Sequence, residues 1–163
     1  MVTSLLSIVA LVGVCPEERS LQYSFSYSRQ EGWQIVFRKK PAFVHGLDAS
    51  PKRLEVDLKK GCWLVVAIEP LDARRRDAME AAVRVAKSLR MRHGFSVQVG
   101  IRPINDYEAI LKWCPEYEVR YESPLWVLLG DGRTAGVRAG FIEDSEIQDW
   151  IIESMAKARK SKK

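Results

Sequence analysis

The sequence predicts an α/β protein in which helices flank a mixed β-sheet and an antiparallel β region precedes it. Two observations lead to this prediction. Between residues 21 and 58, apolar and polar side chains alternate with a period of two, which is typical of half-buried antiparallel strands. From Trp63 onward, continuous apolar runs are separated by segments with helical periodicity, which is typical of strands that helices cover.

The composition fits one globular domain. The chain has 163 residues, 47% of them hydrophobic and 29% charged, which argues against disordered and fibrous classes. A chain of this length buries enough surface to fold without a disulfide or a metal. Lys and Arg exceed Asp and Glu by 26 to 21, and part of this surplus lies in residues 157–163. A basic tail attracts polyanions or simply keeps a protein solvated.

The first third of the chain is expected to be a β-rich extension, residues 1–61. Its alternating aromatic residues predict a hairpin over 21–38, and a third short strand is predicted over 54–58, after a loop-rich bend. A main domain is predicted over 62–156, and a basic tail over 157–163.

An apolar segment, residues 5–14, lies near the start of the chain. It is shorter than the roughly 20 residues that a bilayer span requires, and Pro16 follows it closely. The four residues before it include no Lys or Arg, whereas a secretion signal carries a positive charge there. We therefore expect a buried strand or helix and a cytoplasmic protein, with a signal peptide as the alternative.

The main domain is predicted to hold three buried strands and at least three helices. The strands are Trp63–Ile68, Phe95–Ile101 and Pro124–Leu129, and the helices span about 73–92, 105–114 and 145–156. Asp72 is expected to cap the first long helix and Gly94 to end it. Asp131-Gly132 predicts a tight turn into a further strand over 134–141. Strands joined by a helix run parallel, so a mixed sheet with helices on both faces is expected.

This order of elements resembles the thioredoxin-like superfamily over residues 63–155. The closest local match is the run from Glu122 to Gly132, which looks like the family's segment with a cis-proline before a buried strand. The resemblance implies that the Ser123–Pro124 bond is cis. The run from Gly136 to Ile142 resembles the family's last strand.

The family's redox Cys-x-x-Cys pair has no counterpart in this chain. At the mouth of the first long helix the sequence reads Glu69-Pro-Leu-Asp-Ala-Arg-Arg-Arg76. Thiol–disulfide exchange requires a thiolate, which a helix N-terminus stabilises. Cys62 precedes the strand and Cys114 ends a predicted helix, so neither occupies that place. The resemblance therefore implies a non-catalytic member, and a thiol enzyme that uses Cys62 or Cys114 is the least favoured hypothesis.

Thioredoxin-like domains without these cysteines commonly act as interaction subunits, so the resemblance implies a protein-binding module or adaptor. The family docks peptides at the cis-proline edge, where an extended peptide adds backbone hydrogen bonds. The residues that would form this surface are Glu69, Pro70, Leu71, Asp72, Ser123 and Pro124.

A nucleic-acid-associated protein is the alternative hypothesis. Basic residues cluster on the first long helix and in the tail, where phosphates would bind with a steep salt dependence; the candidates are Arg74, Arg75, Arg76, Arg84, Lys160, Lys162 and Lys163. Asp72, Asp77 and Glu80 dilute this charge. The three cysteines and two histidines are scattered and no phosphate-binding loop is present, so no metal and no cofactor are expected.

Overall fold

The structure, a computed structural model, describes residues 20–47, 58, 60–104 and 122–160. In these ranges the elements are β1 (Gln22–Ser28), β2 (Gly32–Lys39), β3 (Val44–Gly46), β4 (Cys62–Ile68), α1 (Arg75–His93), β5 (Val97–Pro103), β6 (Leu125–Gly130), β7 (Arg133–Ala139) and α2 (Asp144–Lys160). The predicted apolar segment 5–14, most of the predicted strand 54–58 and the predicted helix 105–114 lie outside the described residues.

The strands form two sheets. β1 and β2 pair as the predicted antiparallel hairpin, and the other five lie in the order β3-β5-β4-β6-β7. β3 and β4 run parallel to β5, whereas β6 runs antiparallel to both β4 and β7. The three apolar runs predicted as strands are thus neighbours in one mixed sheet, as expected.

The edge strand β3 has no counterpart in the sequence prediction, which gives these residues no regular structure. Val44 to Gly46 pair with Val99 to Ile101, and the Leu47 N–H donates to the carbonyl oxygen of Ile101 at 2.8 Å. Three residues are too few to show a period-two pattern. The strand is defined by pairing with β5, more than 50 residues further along the chain.

The first long helix begins two residues later than predicted and is not capped by Asp72. Its N-cap is Arg74, and the Asp72 carboxylate accepts a hydrogen bond from the Arg74 N–H at 2.8 Å. An Asp that bonds the backbone two residues on closes a local turn, which ends before the helix starts. The other end is as predicted, because Gly94 adopts the left-handed conformation at φ 60°.

The last helix extends past its predicted end to Lys160, so residues 157–160 of the predicted basic tail are helical. α1 and α2 lie on the same face of the sheet. Arg84 forms an ion pair with Asp144, and the Ser88 hydroxyl donates to the Gln148 amide oxygen at 2.9 Å. Both helices that the structure describes therefore lie on one face of the sheet.

The main core lies between these helices and the sheet, and its largest member is Trp126, which is fully buried. The aromatic face of the hairpin packs against the same core. A smaller buried cluster, including Val65 and Val127, lies on the opposite face of the sheet. Among the described residues, no helix is long and apolar enough to span a membrane.

Candidate functional site

The candidate site lies at the carboxyl end of β4, where a tight turn leads into α1. The Asp72 N–H donates to the Glu69 carbonyl at 3.0 Å, and the Arg75 N–H donates to the Asp72 carbonyl at 3.2 Å. Pro70 is buried beneath this turn. Leu71 is therefore held at its outside, where 76% of its surface is exposed.

The Ser123–Pro124 bond is cis, as the resemblance implies, and it lies beside this turn. The Glu69 N–H donates to the Ser123 hydroxyl oxygen at 3.3 Å. On its other side, the Pro124 carbonyl accepts from the Gly140 N–H at 2.9 Å, just after β7. Pro124 itself is buried, so its neighbours rather than its ring form the accessible surface.

The predicted binding residues thus come together, but in different roles. Glu69 and Leu71 are exposed and Ser123 is half-buried, so these three offer contact surface. Asp72 is half-buried and acts in the turn, through its carboxylate and its carbonyl.

An aromatic residue extends this surface beyond the predicted set. Phe141 follows β7 and is 40% exposed, and the Arg74 guanidinium lies 4.0 Å from its ring centroid. Such stacking of a cation on an aromatic ring holds both side chains in place. In the sequence, Phe141 is the last residue of a predicted strand, and nothing there indicates that it meets Arg74.

The turn carries no cysteine, and Cys62 lies at the opposite end of β4. Cys62 is paired with Gly130 in the sheet and lines a cavity of about 590 Å³ together with Phe95 and Met155. Burial raises the pKa of its thiol to about 12, more than the nearby charge of Arg159 lowers it. At neutral pH the thiol is therefore protonated, which disfavours thiolate chemistry. Cys114 lies outside the described residues.

The basic residues proposed for nucleic acid do not share one surface. Arg75 donates to the Asp72 carbonyl at 2.9 Å, and Arg76 lies over the Tyr23 ring at 5.5 Å. The Arg84 guanidinium donates two hydrogen bonds to the Asp144 carboxylate, at 2.7 and 3.1 Å.

The remaining basic candidates lie away from this run of arginines. Lys160 is at the end of α2, and the last turns of that helix face the Cys62 end of the sheet. Lys162 and Lys163 lie outside the described residues. The predicted patch is therefore divided between the two ends of the sheet.

One further cation lies at the same end of the sheet as Leu71. Arg102 is the residue before the last of β5, pairs in register with Ala67 and is only 3% exposed. Burial lowers the pKa of its guanidinium to about 10, so it stays charged at neutral pH. Among the described residues, no group of three or more potential metal ligands is present.

Comparison with known proteins identifies the fold. No family model and no curated protein matches the chain. One similar solved structure comes from a study of the thiol-resolving mechanism of yeast mitochondrial 1-Cys peroxiredoxin via glutathione and thioredoxin systems. It is 13% identical with a TM-score of 0.51, and the match covers 68% of this chain and 94% of that one.

A second similar structure is chloroplastic thioredoxin z, described as defining a type-specific target recognition. It is 11% identical with a TM-score of 0.50, over 69% of this chain and 95% of that one. This chain therefore has a thioredoxin-like fold. At such low identity, the likeness shows the fold alone.

Proposed function

We propose that the protein is a non-catalytic thioredoxin-like module that binds a protein partner, as an adaptor or a subunit of a larger assembly. The observation that carries the proposal is the exposed Leu71 beside the cis Ser123–Pro124 bond, at a helix mouth without a thiol. A hydrogen-bonded turn holds this large apolar side chain in water, so covering it with a partner lowers the free energy.

The geometry of the turn supports binding rather than chemistry. The turn is fixed by backbone hydrogen bonds and by the Ser123 hydroxyl, so the backbone at Leu71 is ordered before a partner binds. Phe141, held by Arg74, adds a second apolar contact at the same end. Apolar anchors surrounded by polar groups are typical of the centre of an interface.

A selection with random peptides tests this proposal. A phage library of twelve-residue peptides is selected on the immobilised full-length protein, and the selected peptides are made with a fluorescein label. Their dissociation constants are measured by fluorescence polarisation. Covering a leucine contributes about 1.5–3 kcal/mol, so Leu71→Glu should weaken the binding at least tenfold.

Met91→Glu is the matched control, because Met91 is 84% exposed near the far end of α1. It should leave the affinity within twofold of the wild type. Peptides that lose affinity equally in both variants would contradict the proposed site, and a library that yields no binder would contradict the module. An insulin-reduction assay with dithiothreitol is the second arm. A rate above that of the buffer, abolished by Cys62→Ser, would favour the thiol enzyme instead.

A further inference from the structure

A groove of about 530 Å³ lies between the hairpin and the turn that carries Leu71. Its hairpin wall contains Ser24 and three aromatic residues that share one face of β1 and β2, namely Tyr23, Phe25 and Trp33. Its other wall contains Pro70, Leu71 and Ala73 and the first residues of α1, Arg75 and Arg76. The volume falls in the range of pockets that bind small ligands or a few side chains, about 300–1,000 Å³.

The charge of the groove has one sign. The two arginines are the charged residues in its lining, and no carboxylate among the described residues lines it. Three acidic residues are near in sequence but do not line the groove. Asp72 holds the turn, Asp77 is exposed on the first turn of α1, and Glu80 accepts hydrogen bonds from the Ser20 hydroxyl and from the Leu21 N–H. The groove therefore offers aromatic walls beside two cations.

Both arginines are held in place before any ligand binds. Arg75 donates through Nη1 to the Asp72 carbonyl, while its buried Nε has no hydrogen-bond partner among the described residues. Arg76 lies 5.5 Å from the ring centroid of Tyr23, on the opposite wall. Guanidinium groups fixed in this way bind carboxylates with little further loss of side-chain entropy.

The groove continues the surface proposed above, because Leu71 belongs to both. We infer that the groove binds a peptide segment of the partner in which an Asp or Glu side chain stands next to an aromatic or large aliphatic one. The carboxylate would meet Arg75 and Arg76, and the apolar side chain would lie between Trp33 and Leu71. This inference rests on the proposed function and names the chemistry of the partner.

A single-stranded nucleic acid also combines negative charge with flat rings, but the structure favours the peptide. A strand needs a positive track along several phosphates. Here the positive lining consists of two arginines, and Lys160 lies at the other end of the sheet. Two cations beside an apolar wall fit a peptide that offers one carboxylate and one apolar side chain.

Three fluorescein-labelled peptides test the inference on the full-length protein. They are Gly-Ser-Asp-Phe-Asp-Leu-Ser-Gly, the same peptide with Asn for Asp, and the same peptide with Ser for Phe and Leu. The acidic apolar peptide should bind at least tenfold more tightly than each of the others, because the Asn peptide lacks the carboxylates that the arginines would bind and the Ser peptide lacks the side chains that the aromatic wall would cover. Raising the salt from 50 to 500 mM should weaken this binding and leave the Asn peptide unchanged.

Variants on both walls locate the binding. Arg76→Gln and Trp33→Ala should each weaken the binding of the acidic apolar peptide about tenfold. Arg76→Lys should retain part of the affinity. Arg90→Gln is the matched control, because Arg90 also lies over an aromatic ring, that of Phe43 at 5.2 Å, but outside the groove. It should leave the affinity unchanged.

The outcomes separate this inference from the proposed function. Phage-selected peptides that depend on Leu71 but are neutral or basic, and are indifferent to Arg76 and Trp33, would overturn the inference and leave the module standing. No binding of the acidic apolar peptide would also overturn it. A labelled ten-nucleotide dT strand that binds more tightly than this peptide, and depends on Arg76 and Trp33, would assign the groove to nucleic acid instead.

Discussion

The two ends of β4 are chemically opposite. At its carboxyl end an exposed leucine, Leu71, stands on a turn beside a cis peptide bond and next to arginines that stack on aromatic rings. At its amino end a thiol, that of Cys62, is buried behind a closed turn. There the Gly61 N–H donates to the Asp131 carboxylate at 3.1 Å, and the Asp131 N–H donates to the Gly61 carbonyl at 2.9 Å.

The thiol that could do chemistry and the exposed surface proposed to bind a partner therefore lie at opposite ends of β4. The end with the thiol keeps it buried, and the end proposed to meet a partner carries no thiol among its described residues. In a thioredoxin-like fold, a thiol at the mouth of α1 would be exposed and stabilised as a thiolate by the helix N-terminus. Here that mouth offers Leu71 and arginines, which suit contact with a peptide.

The largest effect is expected from Trp126→Ala, because Trp126 connects the core to the residues after β7, beside the cis peptide bond. Its ring is fully buried, and its Nε1–H donates to the Gly140 carbonyl at 2.8 Å. The substitution should lower the free energy of unfolding by about 3–5 kcal/mol. Urea unfolding followed by far-ultraviolet circular dichroism measures this loss. Val36→Ala, at a half-exposed hairpin position, should stay within about 0.5 kcal/mol, and an equal loss there would contradict the assignment of the core.

An intermediate effect is expected at the thiol end under alkaline conditions. Burial raises the pKa of Cys62 from 9.0 to about 12, so between these values the folded state keeps a proton that the unfolded state releases. The contribution of this thiol to stability is therefore complete below pH 9 and is lost as the pH rises toward 12. It should fall by at most about 1.4 kcal/mol per pH unit.

The difference in unfolding free energy between the wild type and Cys62→Ala, measured at pH 8, 9 and 10, isolates this contribution from that of the other titrating groups. The advantage of the wild type should shrink as the pH rises through this range. A constant difference would mean that the thiol is open to water, and the contrast between the two ends would then fail.

The smallest effect is expected for binding to generic nucleic acid. The basic residues are divided between the ends of the sheet, so a 20-base-pair duplex should bind with a dissociation constant of about 10⁻⁴–10⁻⁶ M at physiological salt. Fluorescence polarisation over a salt series measures the affinity and its slope. A sub-micromolar constant that is lost when Arg74, Arg75 and Arg76 are replaced by Ala would overturn the protein-binding proposal.

Local pattern predicted most of the elements, because their signals lie within a few residues. Alternation indicated the hairpin, the Asp131-Gly132 pair indicated the turn between β6 and β7, and Gly94 marked the end of α1. Pattern missed β3, whose three residues are ordered by distant pairing. It also placed the cap at Asp72, because the competition between an Asp turn and a helix start depends on the geometry of the following residues.

The candidate site was predicted in part, for a similar reason. Glu69 to Asp72 and Ser123–Pro124 followed from a resemblance in the order of elements. The contacts that complete the surface join distant parts of the chain: Arg74 meets Phe141, Arg76 meets Tyr23, and Trp33 faces Leu71 across the groove. No spacing in the sequence encodes such contacts, because they arise only when the hairpin and the end of β7 lie beside the start of α1.

The attachment of the hairpin has a mechanical consequence. Its base is fastened to α1 where Glu80 accepts hydrogen bonds from Ser20 and Leu21, and its tip, with Tyr27 62% exposed, projects away from that anchor. The seven residues of β1 make an arm of about 23 Å, at about 3.3 Å per residue. The hairpin is also held along its length, because Tyr23, Phe25, Ile35 and Phe37 pack against the main core. The groove wall that includes Tyr23 and Phe25 is therefore stiff, and the width of the groove is set before a ligand enters.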